Sequence, residues 1–172
     1  YVPQRAVLFN ETVNSNIRYG EAMEEISDKK IVEAARVAQA DEFISKMDDG
    51  NASHIAQGGT NVSGGQKQRL AIARAIAKNP EIYIFDDSFS ALDYKTDAVL
   101  RSELKKYTKD ATSLIVAQRI GTIMNADKII VLDNGESVGV GTHKELLKSC
   151  EVYKQIALSQ LSKEELDNAK AK

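Results

Sequence analysis

Ser63-Gly64-Gly65-Gln66 is the segment of this 172-residue sequence best suited to chemistry. Ser63 and Gln66 stand at the spacing of a capping box, in which each side chain satisfies the other residue's backbone N–H at a helix start. Two glycines in that first turn leave backbone N–H groups open to a ligand, and a helix N-terminus carries partial positive charge. The chemistry this suggests is the binding of an anionic oxygen, above all a phosphate. Taken alone, the same four residues also fit a plain helix cap. Further along, Ile82-Tyr83-Ile84-Phe85 ends in the paired carboxylates Asp86-Asp87, and Ser90-Ala91-Leu92-Asp93 follows. Gln118 stands just past another apolar run, Ser113 to Ala117.

These residues must be positioned by an α/β framework. From about Ser27 to Lys78 the pattern is helical. Ile31, Ala34, Ala35 and Ala38 recur at helical spacing behind a cap at Ser27 or Asp28, and Phe43 and Ile44 extend the stripe. A Gly-rich polar loop spans 48–62. A second helix covers Ser63 to Lys78, burying Leu70, Ile72, Ala73 and Ile76, and Asn79-Pro80 ends it. From Glu81 short apolar runs alternate with helical ones. The strand 82–85 precedes a helix of about 94–107, then come a buried strand at 113–117 and a third at 129–132. Asp133-Asn134-Gly135 turns the chain into a hairpin strand, 136–140, and Thr142 with Glu145 makes a second capping box. Alternating strands and helices predict a mostly parallel sheet, with chemistry at the C-terminal strand ends, where Asp86, Asp87 and Gln118 stand.

In this order the segments resemble the ABC ATPase family, a branch of the P-loop NTPase-like fold. Val62-Ser63-Gly64-Gly65-Gln66 is similar to its signature motif, with Val for the commoner Leu. Residues 82–86 resemble Walker B and Ser90 to Asp93 the D-loop. Gln4, in Val2-Pro3-Gln4, resembles the Q-loop glutamine, and Leu8 to Ile17 resembles the exporter form of the segment that follows it. The resemblance implies that all 172 residues are the C-terminal part of one ATPase domain. About 10–80 would be the helical, signature-bearing subdomain, 81–161 the core, and 162–172 a polar tail. It also implies ATP and Mg²⁺ as ligands. Ser63, Gly64, Gly65, Gln66 and Asp93 would contact ATP, Asp86 and Gln4 the metal, and Asp87, Gln118 and Gln4 would serve catalysis. In the family, two such domains stack head to tail, and the signature of one caps the γ-phosphate of ATP held by the other. The Q-loop region would meet a transmembrane domain at the cytoplasmic side of the cell membrane.

The sequence departs from the family pattern in three places. No Gly-x-x-x-x-Gly-Lys-Ser/Thr occurs, so the phosphate-cradling P-loop and the adenine-stacking aromatic are expected upstream, and the chain reads as a fragment. Asp87 stands where glutamate is usual, one methylene shorter. Gln118 stands where histidine is usual, and an amide can donate a hydrogen bond but carries no charge and relays no proton. Both changes fall on the chain's own site while the signature is intact. That combination resembles one half of a heterodimeric exporter with unequal sites. A symmetric active homodimer, a regulatory nucleotide-binding module and a soluble ATPase of DNA repair or translation are the alternatives.

Composition narrows the classes further. Hydrophobic residues at 42% and charged residues at 28% are those of a globular domain. A net charge of −2 gives no basic excess, so nucleic acid is not an expected partner. Apolar runs are too short to span a bilayer. Cys150, the only cysteine, excludes a disulfide within the chain, and His54 and His143 lack ligand-spaced partners.

Overall fold

The computed structural model describes residues 1–20 and 26–161, so the tail expected at 162–172 lies outside the described residues. The chain divides into two compact units, Tyr1–Val116 and Ala117–Lys172. Each has its own apolar core.

In the first unit, β1 (Glu11–Thr12) pairs antiparallel with β2 (His54–Ile55). Helices α1 (Val13–Arg18), α2 (Asp28–Val37), α3 (Asp41–Ile44) and α4 (Gly64–Ala77) pack around Ile17, Ile31, Leu70, Ile72 and Ile76, all buried. Ser27 caps α2 as expected. The stripe through Phe43 and Ile44 is not one continuous helix. Gln39 adopts a left-handed φ of 56°, its N–H donates to Arg36 O, and Ala40 N donates to Ala35 O at 2.7 Å. That is a Schellman end, usually glycine's place. Arg69 holds it here, donating to Gln39 O at 2.6 Å while its guanidinium stacks over Phe43. α4 ends before Asn79-Pro80, as the sequence predicts, with Asn79 in a left-handed conformation.

β3 (Ile82–Asp86) pairs in parallel with β4 (Thr112–Val116), and Val2 adds a parallel bridge to Phe85. α5 (Tyr94–Tyr107) joins β3 to β4. The expectation that residues 113–117 form a buried strand needs correction. Tyr83, Phe85 and the half-buried Ile115 lie on the face turned to the core. On the other face Ile82, Leu114 and Val116 are half or more exposed. Parallel strands read as continuous apolar runs because such sheets are normally covered on both sides. Here the described residues cover one.

In the second unit, α6 (Ile120–Ile123) precedes β5 (Ile129–Asp133) and β6 (Glu136–Gly141). These two strands form an antiparallel hairpin whose turn residues, Asn134 and Gly135, both have positive φ. Among the described residues, then, only the β3–β4 pairing and the Val2 bridge are parallel. α7 (His143–Ser149) starts with the expected Thr142–Glu145 capping box, and α8 (Glu151–Gln160) follows. Ile129, Val131, Leu146, Tyr153 and the free thiol of Cys150 fill this core. No described helix is long and apolar enough to cross a membrane.

His143 is buried in the second core, with Nδ1 2.7 Å from the Tyr153 hydroxyl and Nε2 without a hydrogen-bond partner among the described residues. Burial pushes its pKa below the usual histidine value, and pushes the Tyr153 phenol up to about 12. A histidine depressed on folding resists protonation in the native state. Its contribution is therefore complete above the unfolded pKa of about 6.5 and is lost as pH falls below it. The unfolding midpoint of the protein is expected to drop on acidification from about pH 7.5 to about pH 5.5, with a shallower drop in His143→Gln. Thermal melts of both across that range check this; parallel slopes would contradict it.

Candidate functional site

Ser63 ends the preceding loop in an extended conformation and caps α4. Gln66 N donates to Ser63 Oγ at 3.3 Å, and Ser63 N donates to Gln66 Oε1 at 2.8 Å, so the expected capping box is present. Ser63 and Gly64 are exposed. A Cβ added at Gly64 would meet nothing within 4 Å, whereas one at Gly65 would come within 3.3 Å of the Ala91 carbonyl oxygen. The glycines thus have different jobs. Gly64 leaves the helix start open, and Gly65 permits close approach of the Ser90–Asp93 segment.

The carboxylate pair lies at the end of β3. Asp86 N donates to Val2 O at 2.9 Å, and the Tyr1 hydroxyl donates to Asp86 Oδ2 at 2.9 Å. That bond raises the phenol's pKa. Asp87 takes a left-handed φ of 45°, a conformation aspartate tolerates better than most side chains. Its N–H donates to Val116 O at 2.9 Å, and its carbonyl accepts from the Ser90 hydroxyl at 2.8 Å. Gln4 Nε2 donates to Asp87 Oδ2 at 3.1 Å. Gln4 and Asp87, 83 residues apart in sequence, therefore meet beside Asp86 at the end of β3.

Asp93 and Gln118 have hydrogen-bond partners of their own. Asp93 is the N-cap of α5, accepting from Thr96 N at 2.9 Å and Thr96 Oγ1 at 2.7 Å, and these bonds hold its pKa below the usual carboxylate value. Gln118 is exposed and belongs to the second unit. Gln160 fixes its backbone, donating to Gln118 O at 2.9 Å and accepting from Ile120 N at 2.8 Å.

No group of three or more metal-ligating side chains occurs among the described residues. Mg²⁺ does not need one. It keeps several waters and binds through one or two carboxylates plus phosphate oxygens. Asp86, a carboxylate at a strand end, fits that donor set.

Sequence reasoning missed two groups here. Tyr1 offered no motif. Gln68 is buried in α4 and donates to Pro3 O at 2.9 Å. Its signal was positional: Gln68 stands four residues before Ile72, on the face the apolar pattern assigns to the core.

Comparison with known proteins bears on the family of the chain. The family model described as ABC transporter matches residues 1–90. An uncharacterized ABC transporter ATP-binding protein of Mycobacterium tuberculosis is 50% identical over 160 residues, 92% of this chain and 27% of that protein. An ATP-dependent lipid A-core flippase of Francisella tularensis is 40% identical over 160 residues, 93% of this chain and 26% of the flippase. A bacterial Atm1-family ABC exporter, solved with ATP bound, superposes with a TM-score of 0.88 at 36% identity, over 94% of this chain and 28% of that one. The chain thus spans about a quarter of the length of the relatives it matches. It belongs to the ABC transporter family, and within that family to the ATP-binding domain.

Proposed function

We propose that this chain is part of the ATP-hydrolysing motor domain of an ABC exporter, working at the cytoplasmic face of a membrane. The likeness to an exporter solved with ATP and to a lipid A-core flippase supports an exporter over a soluble relative in DNA repair or translation. The observation that carries the reading is the meeting of Gln4 with Asp87 beside Asp86. Asp86 would hold Mg²⁺, which would neutralise charge on the phosphates. Gln4 would orient Asp87 and the attacking water. The exposed apolar face of β3 and β4, which includes Asp86, suits coverage by the P-loop part of the same domain.

In this reading the domain pairs head to tail with a second ATPase domain, of a different subunit, and the Q-loop region meets the transmembrane domain. The open helix start at Ser63 and Gly64 acts on ATP held by the partner. The chain's own site binds ATP but hydrolyses it slowly. Asp87 falls one methylene short of the reach a general base needs, and a misplacement of about 1 Å can cost on the order of 10²-fold. Gln118 supplies no imidazole. ATP binding closes the dimer and hydrolysis reopens it.

The purified 172-residue chain is therefore expected to show no ATPase activity above its Ser63→Ala control, because it contains no P-loop motif. The assembled transporter is expected to turn ATP over and to lose turnover with Ser63→Ala. Hydrolysis by the isolated chain above its control would contradict the reading.

A further inference from the structure

α4 holds both ends of the segment that carries Gln4. Gln68 is 2% exposed, and its Nε2 donates to Pro3 O, the carbonyl immediately before Gln4, at 2.9 Å. Arg74 holds the other end. Its Nη1 donates to Val7 O at 3.0 Å, its Nε to Asn16 O at 2.7 Å, and its guanidinium lies over the Phe9 and Tyr19 rings. The two anchors are six residues apart on one helix, about 9 Å along its axis. Gln4 and Arg5, between the anchored ends, are exposed. On the other side the segment is tied to β3, through Asp86 N and the buried Ser88 hydroxyl, both donating to Val2 O.

We propose that Gln68 is a positioning residue that couples the chain's two functional ends, the carboxylate end of β3 and the exposed start of α4. The inference rests on the reading of Ser63–Gly64 and Gln4–Asp87 given above. A displacement of α4, driven by nucleotide at its N-terminus, pulls on Pro3 O through a buried side chain. Gln4 is the next residue, so its reach to Asp87 changes. In the reverse direction, nucleotide bound at Asp86 and Asp87 moves Gln4 and resets the helix that serves the partner. Arg74 keeps the far end of the loop fixed to the same helix, so the strain is concentrated at Gln4 rather than spread along the segment.

The test is a double-mutant cycle in the assembled transporter, reading steady-state ATPase at saturating ATP and the KM for ATP. Gln68→Met keeps the volume and removes the donor. Because the start of α4 serves the partner's faster site, the change is expected to lower kcat about tenfold and to leave KM within about twofold. In a Gln4→Ala background the same change is expected to cost less than about twofold, because the residue through which it acts is gone. If Gln68→Met does not accumulate, Gln68→Asn, whose amide is too short to reach Pro3 O, takes its place with the same expectation. Losses that multiply independently would overturn the proposal, since a purely structural role gives that result. So would full turnover of Gln68→Met beside an impaired Gln4→Ala. Full turnover of Gln4→Ala would overturn the proposal alone, because the reading of the carboxylate end already has the site at Asp87 contribute little to turnover.

Discussion

Gly64→Asp is expected to abolish transport and ATP turnover in the assembled protein while the chain still folds. The two halves of that expectation have separate grounds. A Cβ added at Gly64 meets nothing within 4 Å among the described residues, so the first atom of the new side chain creates no clash. An aspartate in the first turn of α4 also complements the helix dipole, which favours folding. What changes is the charge presented to a ligand. A carboxylate about 4 Å from a phosphate oxygen costs about 4 kcal/mol at an effective dielectric of 20, on the order of 10³-fold in occupancy. Nucleotide binding at this chain's own site should be spared, because in the proposed reading Gly64 serves the partner. Far-ultraviolet circular dichroism, nucleotide binding and ATPase rates separate these outcomes. Intact turnover in Gly64→Asp would remove the phosphate-binding role from the start of α4. Gly64→Ala provides the calibration, adding a methyl group without charge, and is expected to cost far less.

What could be read from the sequence follows the range of the interactions involved. The Ser63–Gln66 and Thr142–Glu145 boxes are local, each closed within four residues, and both are present. The strand ending at Asp86 and the helix 94–107 follow from local pattern in the same way. The break at Gln39 was not legible, because the left-handed residue is a glutamine stabilised by Arg69 from another helix. The exposure of Leu114 and Val116 was not legible either. An apolar strand encodes that it can be buried, and what lies against it decides whether it is.

The site divides along the same line. Ser63, Gly64, Asp86 and Asp87 could be singled out because each lies in a short run with a recognisable pattern. The hydrogen bond from Gln4 to Asp87 joins residues far apart in the chain and became visible only in three dimensions. Asp93 combines the two. Its place in the Ser90–Asp93 run is legible in the sequence, and the structure adds that its carboxylate caps α5 through Thr96. Gln68 has both characters: its burial could be read from helical spacing, its partner Pro3 could not.

The unequal-site reading makes its sharpest claim at Asp87. If this site hydrolyses slowly, Asp87→Asn removes a charge that contributes little to turnover. The amide oxygen can still accept from Gln4 Nε2, so the contact that orients the loop survives. Turnover should stay within about threefold of wild type, whereas the matching carboxylate-to-amide change in the partner subunit should lower it by about 10²-fold or more. Asp87→Glu is expected to raise turnover by restoring reach, with the gain limited by Gln118. In a symmetric homodimer, Asp87→Asn would instead remove the base from both sites. The direct measurement is the steady-state ATPase rate of the assembled transporter carrying Gly64→Asp or Asp87→Asn in this chain. The account predicts collapse in the first and near-normal turnover in the second; a loss in Asp87→Asn as severe as that in Gly64→Asp would contradict it.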